Sequence, residues 1–361
     1  MAGAGQPWYM PLTWPVGHVL SALSKKGTAS GDVAQLSATA DLDLIGHLTS
    51  FAAATRSFCL ACACIYWIHG GDDGAGYPAF GTAKTWSWDW MWPLLVRNVL
   101  GTWIIAGFWD WFLYFSPLKE TLRPFKIDPR YPSLRQIQHD ALVTTTATLC
   151  GTAIEIALCH FWATGQLSMQ RDLNLQTSLT LAWAVTITHW RVPHFWLVHR
   201  MMHPWKWECI PKAFDPGRFL YKHVHSLHHK SHNPTAFAGT NMHPIEATLY
   251  YSAALIPIVF GFSVHPAIPL GCLLDCAIGA WLGHDGFQWP GSGDYFHQLH
   301  HKHFDCNFGA MHVPMDKWLG TFAAGKEDVK KIWGGRKAGA EANKEEGFVT
   351  HDYSKCATKV E

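Results

Sequence analysis

The sequence is poor in charged residues and has no clear excess of either sign. Only 15% of its 361 residues are Asp, Glu, Lys or Arg, and the formal net charge is +1. A protein that binds nucleic acid through a basic face carries a larger positive excess, so no nucleic-acid partner is expected. The sequence also contains no glycine-rich phosphate loop, no internal repeat and no Ser-His-Asp arrangement, which disfavours nucleotide-dependent and triad-dependent enzymes.

Cysteine occurs ten times, but its distribution argues against disulfides. Most of these cysteines lie inside apolar runs, where a free thiol behaves as a small hydrophobic group. Cys59 and Cys62 have CxxC spacing, yet no second pair accompanies them. We therefore predict neither a disulfide framework nor a zinc finger.

Uninterrupted apolar stretches of twenty residues are missing as well, although 48% of the chain is hydrophobic and 14% is aromatic. A helix needs about 20 mainly apolar residues to cross a bilayer, and several interrupted apolar runs reach or approach that length. The six runs are 51–68, 91–114, 141–162, 179–198, 247–262 and 268–282. The last two of these runs are close together and predict a helical hairpin or a pair of short spans. They predict an all-α, integral membrane helical bundle.

Ionisable residues inside and between these runs indicate how the bundle is arranged. Asp110 and Glu155 lie inside runs, and such residues usually face the bundle interior, so we expect them to pair with neighbouring helices. Two loop segments are rich in lysine and arginine, which stay on the cytosolic side. These basic residues are Lys119, Arg123, Lys126, Arg130 and Arg135, then Arg200, Lys206, Lys212, Arg218, Lys222 and Lys230. Both segments and both termini are therefore predicted to face the cytosol.

Histidine is abundant, and eight histidines form three clusters in the second half of the chain. The clusters are His199 and His203; His225, His228 and His229; and His297, His300 and His301. Residues three or four apart lie on one side of a helix, so each cluster is predicted to aim its imidazoles at one point. A lone histidine on an apolar face is usually a core residue, but three clusters in one region predict a metal site.

The number of histidines is informative about the metal. Imidazole suits iron, copper, nickel and zinc alike, so the ligand type does not select the element. Eight histidines are twice what one tetrahedral zinc ion needs. The count favours two metal ions that keep open coordination positions.

Six motifs follow one another between residues 189 and 322 in a recognisable order. They are Trp196–His203 (WLVHRMMH), Tyr221–His229 (YKHVHSLHH), Met242–Glu246 (MHPIE), His297–His301 (HQLHH), Asn307–Gly309 (NFG) and Asp316–Thr321 (DKWLGT). In this order they resemble the fatty acid hydroxylase/sterol desaturase superfamily of membrane non-haem di-iron oxygenases. One position departs from the family pattern: Val192 stands where the family commonly has an acidic residue, and His194 is a candidate replacement for that residue.

The resemblance implies an O2-dependent oxidoreductase with two iron ions, which hydroxylates or desaturates a sterol-like lipid. A C5-desaturase or a C4-methyl oxidase would be such an enzyme. The chain has no His-Pro-Gly-Gly haem-binding signature of a fused cytochrome b5, so the electrons are expected from an external donor. Cytochrome b5 or a ferredoxin, each with its reductase, would fill that role at the basic cytosolic face. The resemblance also implies an endoplasmic reticulum membrane protein with a cytosolic, histidine-rich catalytic cap.

Two further histidines complete the predicted ligand set through the same resemblance. His243 and His284 lie where the sterol-acting branch of the family is similar to this chain. Other polar residues nearby are expected to support the ligands through hydrogen bonds, since ligating imidazoles usually donate their second N–H. These supporting candidates are Asp285, Asp305, Asn307, Asp316, His194 and His303. The remaining neighbours, His223, His232 and His312, are expected to keep surface or supporting roles.

Two alternatives stay open from the sequence. A fatty acid, ceramide or alkylglycerol hydroxylase would share the metal site and differ only in its lipid slot. A histidine-rich metal transporter would place its ligands at the middle of membrane helices, whereas these clusters lie at the ends of the apolar runs or beyond. The predicted organisation is a variable leader at 1–50, transmembrane helices at 51–198, a catalytic region including a membrane hairpin at 199–325, and a polar tail at 326–361.

Overall fold

A computed structural model describes residues 41–69, 81–168, 189–205, 214–289 and 294–332, together with the single residues 170, 186 and 211. Within these ranges the chain forms helices and no β-strand. One isolated antiparallel bridge joins Lys126 to Phe287. The predicted all-α class is confirmed.

The α-helices of the described ranges are α1 (Leu44–Ile68), α2 (Trp88–Tyr114), α3 (Lys119–Leu122), α4 (Leu134–Ala163), α5 (Arg191–Met201), α6 (Pro216–His223), α7 (Pro244–Tyr251), α8 (Ile256–Val259), α9 (Ala267–Leu282), α10 (Asp294–His303), α11 (Met315–Trp318) and α12 (Lys326–Ile332). The 3₁₀-helices are η1 (Arg123–Phe125), η2 (His225–Lys230), η3 (Ala236–Thr240) and η4 (Ser252–Leu255).

Helices α1, α2 and α4 are long and apolar enough to cross a membrane, with 25, 27 and 30 residues. Each contains one of the first three apolar runs and begins several residues earlier than that run. A side chain explains each early start, because Asp43, Ser87 and Ser133 accept a backbone N–H in the first turn. Large apolar side chains cover the outside of these helices. Those of α2 include Trp92, Leu100, Trp103, Ile104, Ile105, Phe108 and Trp111.

The fifth and sixth apolar runs form shorter helices. Residues Pro244–Val259 and Ala267–Leu282 are apolar but too short to be full spans on their own. Helix α9 packs against both α1 and η4. The approach to α1 is close, since a β-carbon on Gly271 would lie 2.8 Å from the Cα atom of Cys62. The fourth run belongs to α5 at its C-terminal end, while residues 179–185, 187 and 188 lie outside the described ranges.

Polar side chains link the long helices inside the bundle. Glu155 of α4 pairs with Arg97 of α2 at 2.5 Å and accepts from Asn98 Nδ2 at 2.7 Å. Glu155 is thus an interhelical partner, as predicted. Asp110 has a different role, because its carboxylate accepts the backbone N–H groups of Ala236 and Phe237 and so fixes the start of η3.

Helix α4 also supports the histidine region beyond the membrane helices. Asp140 accepts from Ser231 Oγ at 2.8 Å and from Asn241 Nδ2 at 2.7 Å, and these two residues bracket η3 in sequence. Thr144 Oγ1 donates to the Phe237 carbonyl oxygen at 2.5 Å. The N-terminal half of α4 therefore holds the segment that directly follows the second histidine cluster.

Removing one partner of the ion pair should cost more than removing both. Glu155→Leu leaves the Arg97 guanidinium without its carboxylate in a largely apolar setting, which we expect to destabilise the protein by about 1–3 kcal/mol. The double variant Arg97→Leu, Glu155→Leu removes both charges and should recover part of that loss. Thermal unfolding in detergent micelles measures the difference. A Glu155→Leu protein as stable as wild type would show that the pair contributes nothing.

Candidate metal centre

The first histidine cluster straddles the end of a helix. His199 lies on the last turn of α5, whereas His203 lies just beyond Met201, the last helical residue. The side chains of His199 and His203 are 3% and 0% exposed. The expectation of a helix through both histidines was therefore wrong, because the chain leaves the helix before Pro204.

The other two clusters occupy different kinds of helix. His225, His228 and His229 lie on the 3₁₀-helix η2, and His297, His300 and His301 lie on α10. The 3₁₀ geometry has three residues per turn instead of 3.6, so helical spacing alone does not assign these side chains to a common point. His284 follows α9 directly, after the helix ends at Leu282.

The structure gathers nine histidines into two groups. Within each group, the candidate ligand atoms all lie within 4.8 Å of one another. The five-histidine group contains His199, His203, His225, His229 and His300. The four-histidine group contains His228, His284, His297 and His301.

The two groups adjoin, since the rings of His229 and His301 are 5.1 Å apart. Sequence neighbours are divided between them: His228 and His229 fall into different groups, as do His300 and His301. One short segment can therefore serve both groups.

Hydrogen bonds fix the orientation of three rings in the five-histidine group. The Nδ1 atom of His199 lies 2.7 Å from the Phe308 carbonyl oxygen, and that of His300 lies 2.7 Å from the Cys306 carbonyl oxygen. His225 Nδ1 lies 2.7 Å from Glu246 Oε1. The two carbonyl oxygens, and the Glu246 carboxylate in its ionised form, need a proton on Nδ1, which leaves Nε2 as a bare acceptor in a neutral ring.

This arrangement brings two lone pairs together. The Nε2 atoms of His199 and His225 are 3.0 Å apart, and neither carries a proton in the tautomers that their Nδ1 partners select. Burial lowers the pKa of His225 to about 3, and burial together with neighbouring His225 lowers the pKa of His199 well below its usual value. A proton on either Nε2 is therefore disfavoured, and a metal cation would satisfy both nitrogens.

The separation of the nitrogens suits such an ion. Two imidazole nitrogens at about 2.1 Å from one metal ion, at right angles, are about 3.0 Å apart. His225 and His229 also have their Nε2 atoms 3.0 Å apart, and those of His229 and His300 are 3.1 Å apart. His203 is fully buried and neither of its ring nitrogens has a partner in the described structure. The five residues fit a metal ion bound through nitrogen.

The four-histidine group has the same character. His284 Nδ1 lies 2.8 Å from the Ala280 carbonyl oxygen, so its Nε2 is a bare, buried acceptor without a donor among the described residues. Both ring nitrogens of His301 and the Nε2 of His297 also lack partners there. Burial lowers the pKa of His284 to about 4. These neutral imidazoles fit a second ion.

His243 lies outside both groups. Its Nδ1 accepts the backbone N–H of Ile245 at 3.2 Å, which caps the start of α7. Pro244 at the first position of α7 favours a helix start here, because its fixed φ suits the helix and its missing N–H needs no partner. The structure therefore does not bring His243 to the other nine predicted ligands.

Two predicted supporting residues stabilise the segment that carries acceptors for the ligands. Asp316 accepts the backbone N–H groups of Phe308 and Gly309, both at 2.8 Å, and so positions the carbonyl that meets His199. Asn307 has a positive φ of 55° and is held by the carbonyl oxygens of Phe296 and Ala323 through its side-chain amide.

The other supporting candidates lie in varied positions. Asp285 accepts from the indole N–H groups of Trp109 and Trp289. His194 Nε2 lies 3.1 Å from Ser252 Oγ. Asp305 is buried next to Cys306, and His303 is the last residue of α10.

Glu246 and the carbonyl groups of Cys306 and Phe308 were not predicted from the sequence to be partners of ligands. Backbone carbonyls carry no sequence signal. Glu246 offered one, since it is an acidic residue in the MHPIE motif, directly before the apolar run 247–262. Its carboxylate orients His225 as such groups orient metal-bound imidazoles in general.

Comparison with known proteins agrees with this geometry. Residues 183–321 match the family described as fatty acid hydroxylase. A putative Delta(7)-sterol-C5(6)-desaturase 2 of Arabidopsis thaliana is 26% identical over 64% of this chain and 79% of its own length. The cholesterol 25-hydroxylase of Rattus norvegicus is 27% identical over 63% of this chain and 70% of its own length.

A third relative matches over a shorter stretch. The lathosterol oxidase of Rattus norvegicus is 33% identical over 29% of this chain, and the match spans 37% of that enzyme. No solved structure matches the chain. The matched region is less than half of the chain and contains every histidine of both groups; over this region the chain is similar to the fatty acid hydroxylase/sterol desaturase superfamily of oxidoreductases.

Proposed function

We propose that the protein is a membrane di-iron oxidoreductase that uses O2 to hydroxylate or desaturate a sterol-like lipid. The observation that carries this proposal is the pair of adjoining histidine groups, with lone pairs that converge in a buried site. Two iron ions held there would activate O2 so that an unactivated C–H bond of the substrate can be broken. The relatives described above are named for sterol substrates, which supports a sterol-like lipid over an acyl chain.

The nine grouped histidines are the proposed ligands. The Phe308 and Cys306 carbonyls and the Glu246 carboxylate hold three of these rings in the orientation that frees Nε2. Burial keeps the imidazoles neutral and limits the access of water. Both groups lie outside the three long apolar helices, which disfavours a transporter with ligands at midspan.

The reaction requires an external electron source. Hydroxylation of a substrate RH consumes O2, two electrons and two protons, and yields ROH and water. Desaturation consumes the same and yields a double bond and two waters. We propose cytochrome b5 or a ferredoxin with its reductase as the donor, at a catalytic face in the cytosol, and the endoplasmic reticulum as the site of action.

Expression in a host that accumulates sterol precursors tests the function. We expect a new sterol that has gained one oxygen atom or lost two hydrogens, formed by wild type and by His232→Ala but not by His228→Ala. His232 is a matched control because it neighbours the second cluster but belongs to neither group. Mass spectrometry of the total lipids measures the product. A hydroxylated acyl chain with unchanged sterols would instead favour a fatty acid or ceramide hydroxylase.

Metal content should separate the ligands from their neighbours. His203→Ala and His301→Ala remove unpartnered rings from different groups, so each should lower the iron content from about two ions per chain towards one. Both should reduce turnover more than the roughly 10- to 100-fold loss typical of supporting residues.

His243→Ala should retain both ions, because His243 only caps α7. Elemental analysis at matched expression decides the question. Loss of iron from His243→Ala together with full retention in His203→Ala would reverse the proposed assignment.

Glu246 should tune the site without binding the metal. Glu246→Gln keeps an oxygen acceptor for His225 Nδ1 but removes the negative charge, so we expect about tenfold weaker iron binding. Glu246→Ala removes the acceptor and should weaken binding further. Competition with a chelator measures both affinities. Equal affinities for wild type and Glu246→Ala would show that the hydrogen bond does not support the site.

A further inference from the structure

Helix α6 forms a thin wall over the five-histidine group. Its Gly217 touches the backbone of the first cluster, since a β-carbon there would lie 2.1 Å from the His203 carbonyl oxygen. The buried ring of Tyr221 lies 5.2 Å from the ring of His203 and 5.8 Å from that of His229. The inner face of α6 is therefore in direct contact with the proposed ligands.

The outer face of the same helix is open to its surroundings. Phe219 is 63% exposed, and Phe214, just before the helix, is 76% exposed. Lys222 and His223 are exposed beside Phe219. A helix with its side chains is about 10–12 Å across, so these groups lie one helix thickness from the five-histidine group.

The charge of this face is positive. Between residues 214 and 232 the chain carries Arg218, Lys222 and Lys230, and its one acidic residue is Asp215. Asp215 is buried and caps α6, where it accepts the backbone N–H groups of Arg218 and Trp205. It therefore does not offset the exposed charge of Lys222.

The other basic segment is less suited to binding a partner. Lys126 is 1% exposed and donates to Asn233 Oδ1 at 2.9 Å. Arg130 pairs with Asp128 at 2.7 Å, and Arg123 lies 3.3 Å from Glu120. Much of the positive charge between residues 119 and 135 is therefore already paired or buried.

We propose that the exposed face of α6, formed by Phe219, Lys222 and His223, is the docking surface for an acidic one-electron carrier protein. This inference rests on the proposed function. Aromatic anchors with basic neighbours suit a transient complex with an acidic partner. Electron transfer through protein falls steeply with distance, and docking here places the carrier one helix away from the ligands. Each docking event oxidises one reduced carrier by one electron, and two events supply the two electrons that one turnover consumes.

Binding of the soluble haem domain of cytochrome b5 to the full chain in nanodiscs of neutral lipid tests the proposal. Lys222→Glu should weaken the Kd by about three- to tenfold at low ionic strength, and the difference should shrink as salt screens the charges. Phe219→Ser should weaken binding at all salt concentrations. Lys119→Glu, an exposed lysine of the other basic segment, is the matched control and should leave the Kd unchanged.

Three results would overturn the proposal. One is an unchanged Kd for Lys222→Glu, and another is a loss with Lys119→Glu as large as that with Lys222→Glu. The third is quenching of a fluorophore at Phe219→Cys by nitroxide-labelled lipid, which would assign this face to the membrane. Product formation with dithionite as reductant, compared for wild type and Lys222→Glu, separates the two proposals. An equal yield in both leaves the function intact whatever the binding data show.

Discussion

The convergence of neutral imidazoles in a buried site is the constraint on which the rest of the structure depends. His199 and His225 each donate their single ring proton from Nδ1 to an acceptor. The lone pairs on their Nε2 atoms therefore face each other, and these two nitrogens are 3.0 Å apart. Buried polar groups without partners are costly, and six of the nine grouped histidines have a ring nitrogen without a partner among the described residues. A bound metal cation would offset that cost. The chain around the site accordingly places hydrogen-bond acceptors next to the Nδ1 atoms of His199, His225 and His300.

The membrane helices contribute to this support. Asp110 of α2 binds the start of η3, and Asp140 of α4 binds Ser231, two residues after His229. Both carboxylates reach from apolar helices to the loop between the second cluster and α7. Since those helices are held together by the pair of Arg97 and Glu155, packing in the bilayer and orientation of the ligands are parts of one arrangement. The expectation that such charges serve structure before substrate agrees with what Asp110 and Glu155 contact.

The sequence predicted the helical class and the first three apolar helices, because long apolar runs are local signals. Histidine spacing is also local and identified eight of the nine histidines that the structure groups, whereas His284 came only from the resemblance. It did not predict that His203 lies outside α5 or that η2 is a 3₁₀-helix, since both depend on tertiary contacts. His243 was assigned by resemblance, and its role as a helix cap could be recognised only from its hydrogen bond. Division of His228 and His229 between two groups likewise follows from where the fold places His300, His301 and His284 around η2, which spacing does not encode.

The choice of reaction depends on residues other than the nine histidines. Hydroxylation and desaturation begin with the same removal of hydrogen and consume the same O2 and electrons, so the metal ligands do not separate them. Aromatic residues form an apolar wall beside the five-histidine group. Phe195 stacks on His199 with ring centroids 5.1 Å apart, and Tyr250 meets Phe195 edge-on at 5.6 Å. Tyr250 in turn donates to the Cys276 carbonyl oxygen of α9. These contacts connect the five-histidine group to the short apolar helices. Under the proposed function, the position of a lipid against that wall would determine which of its carbons faces the metal centre.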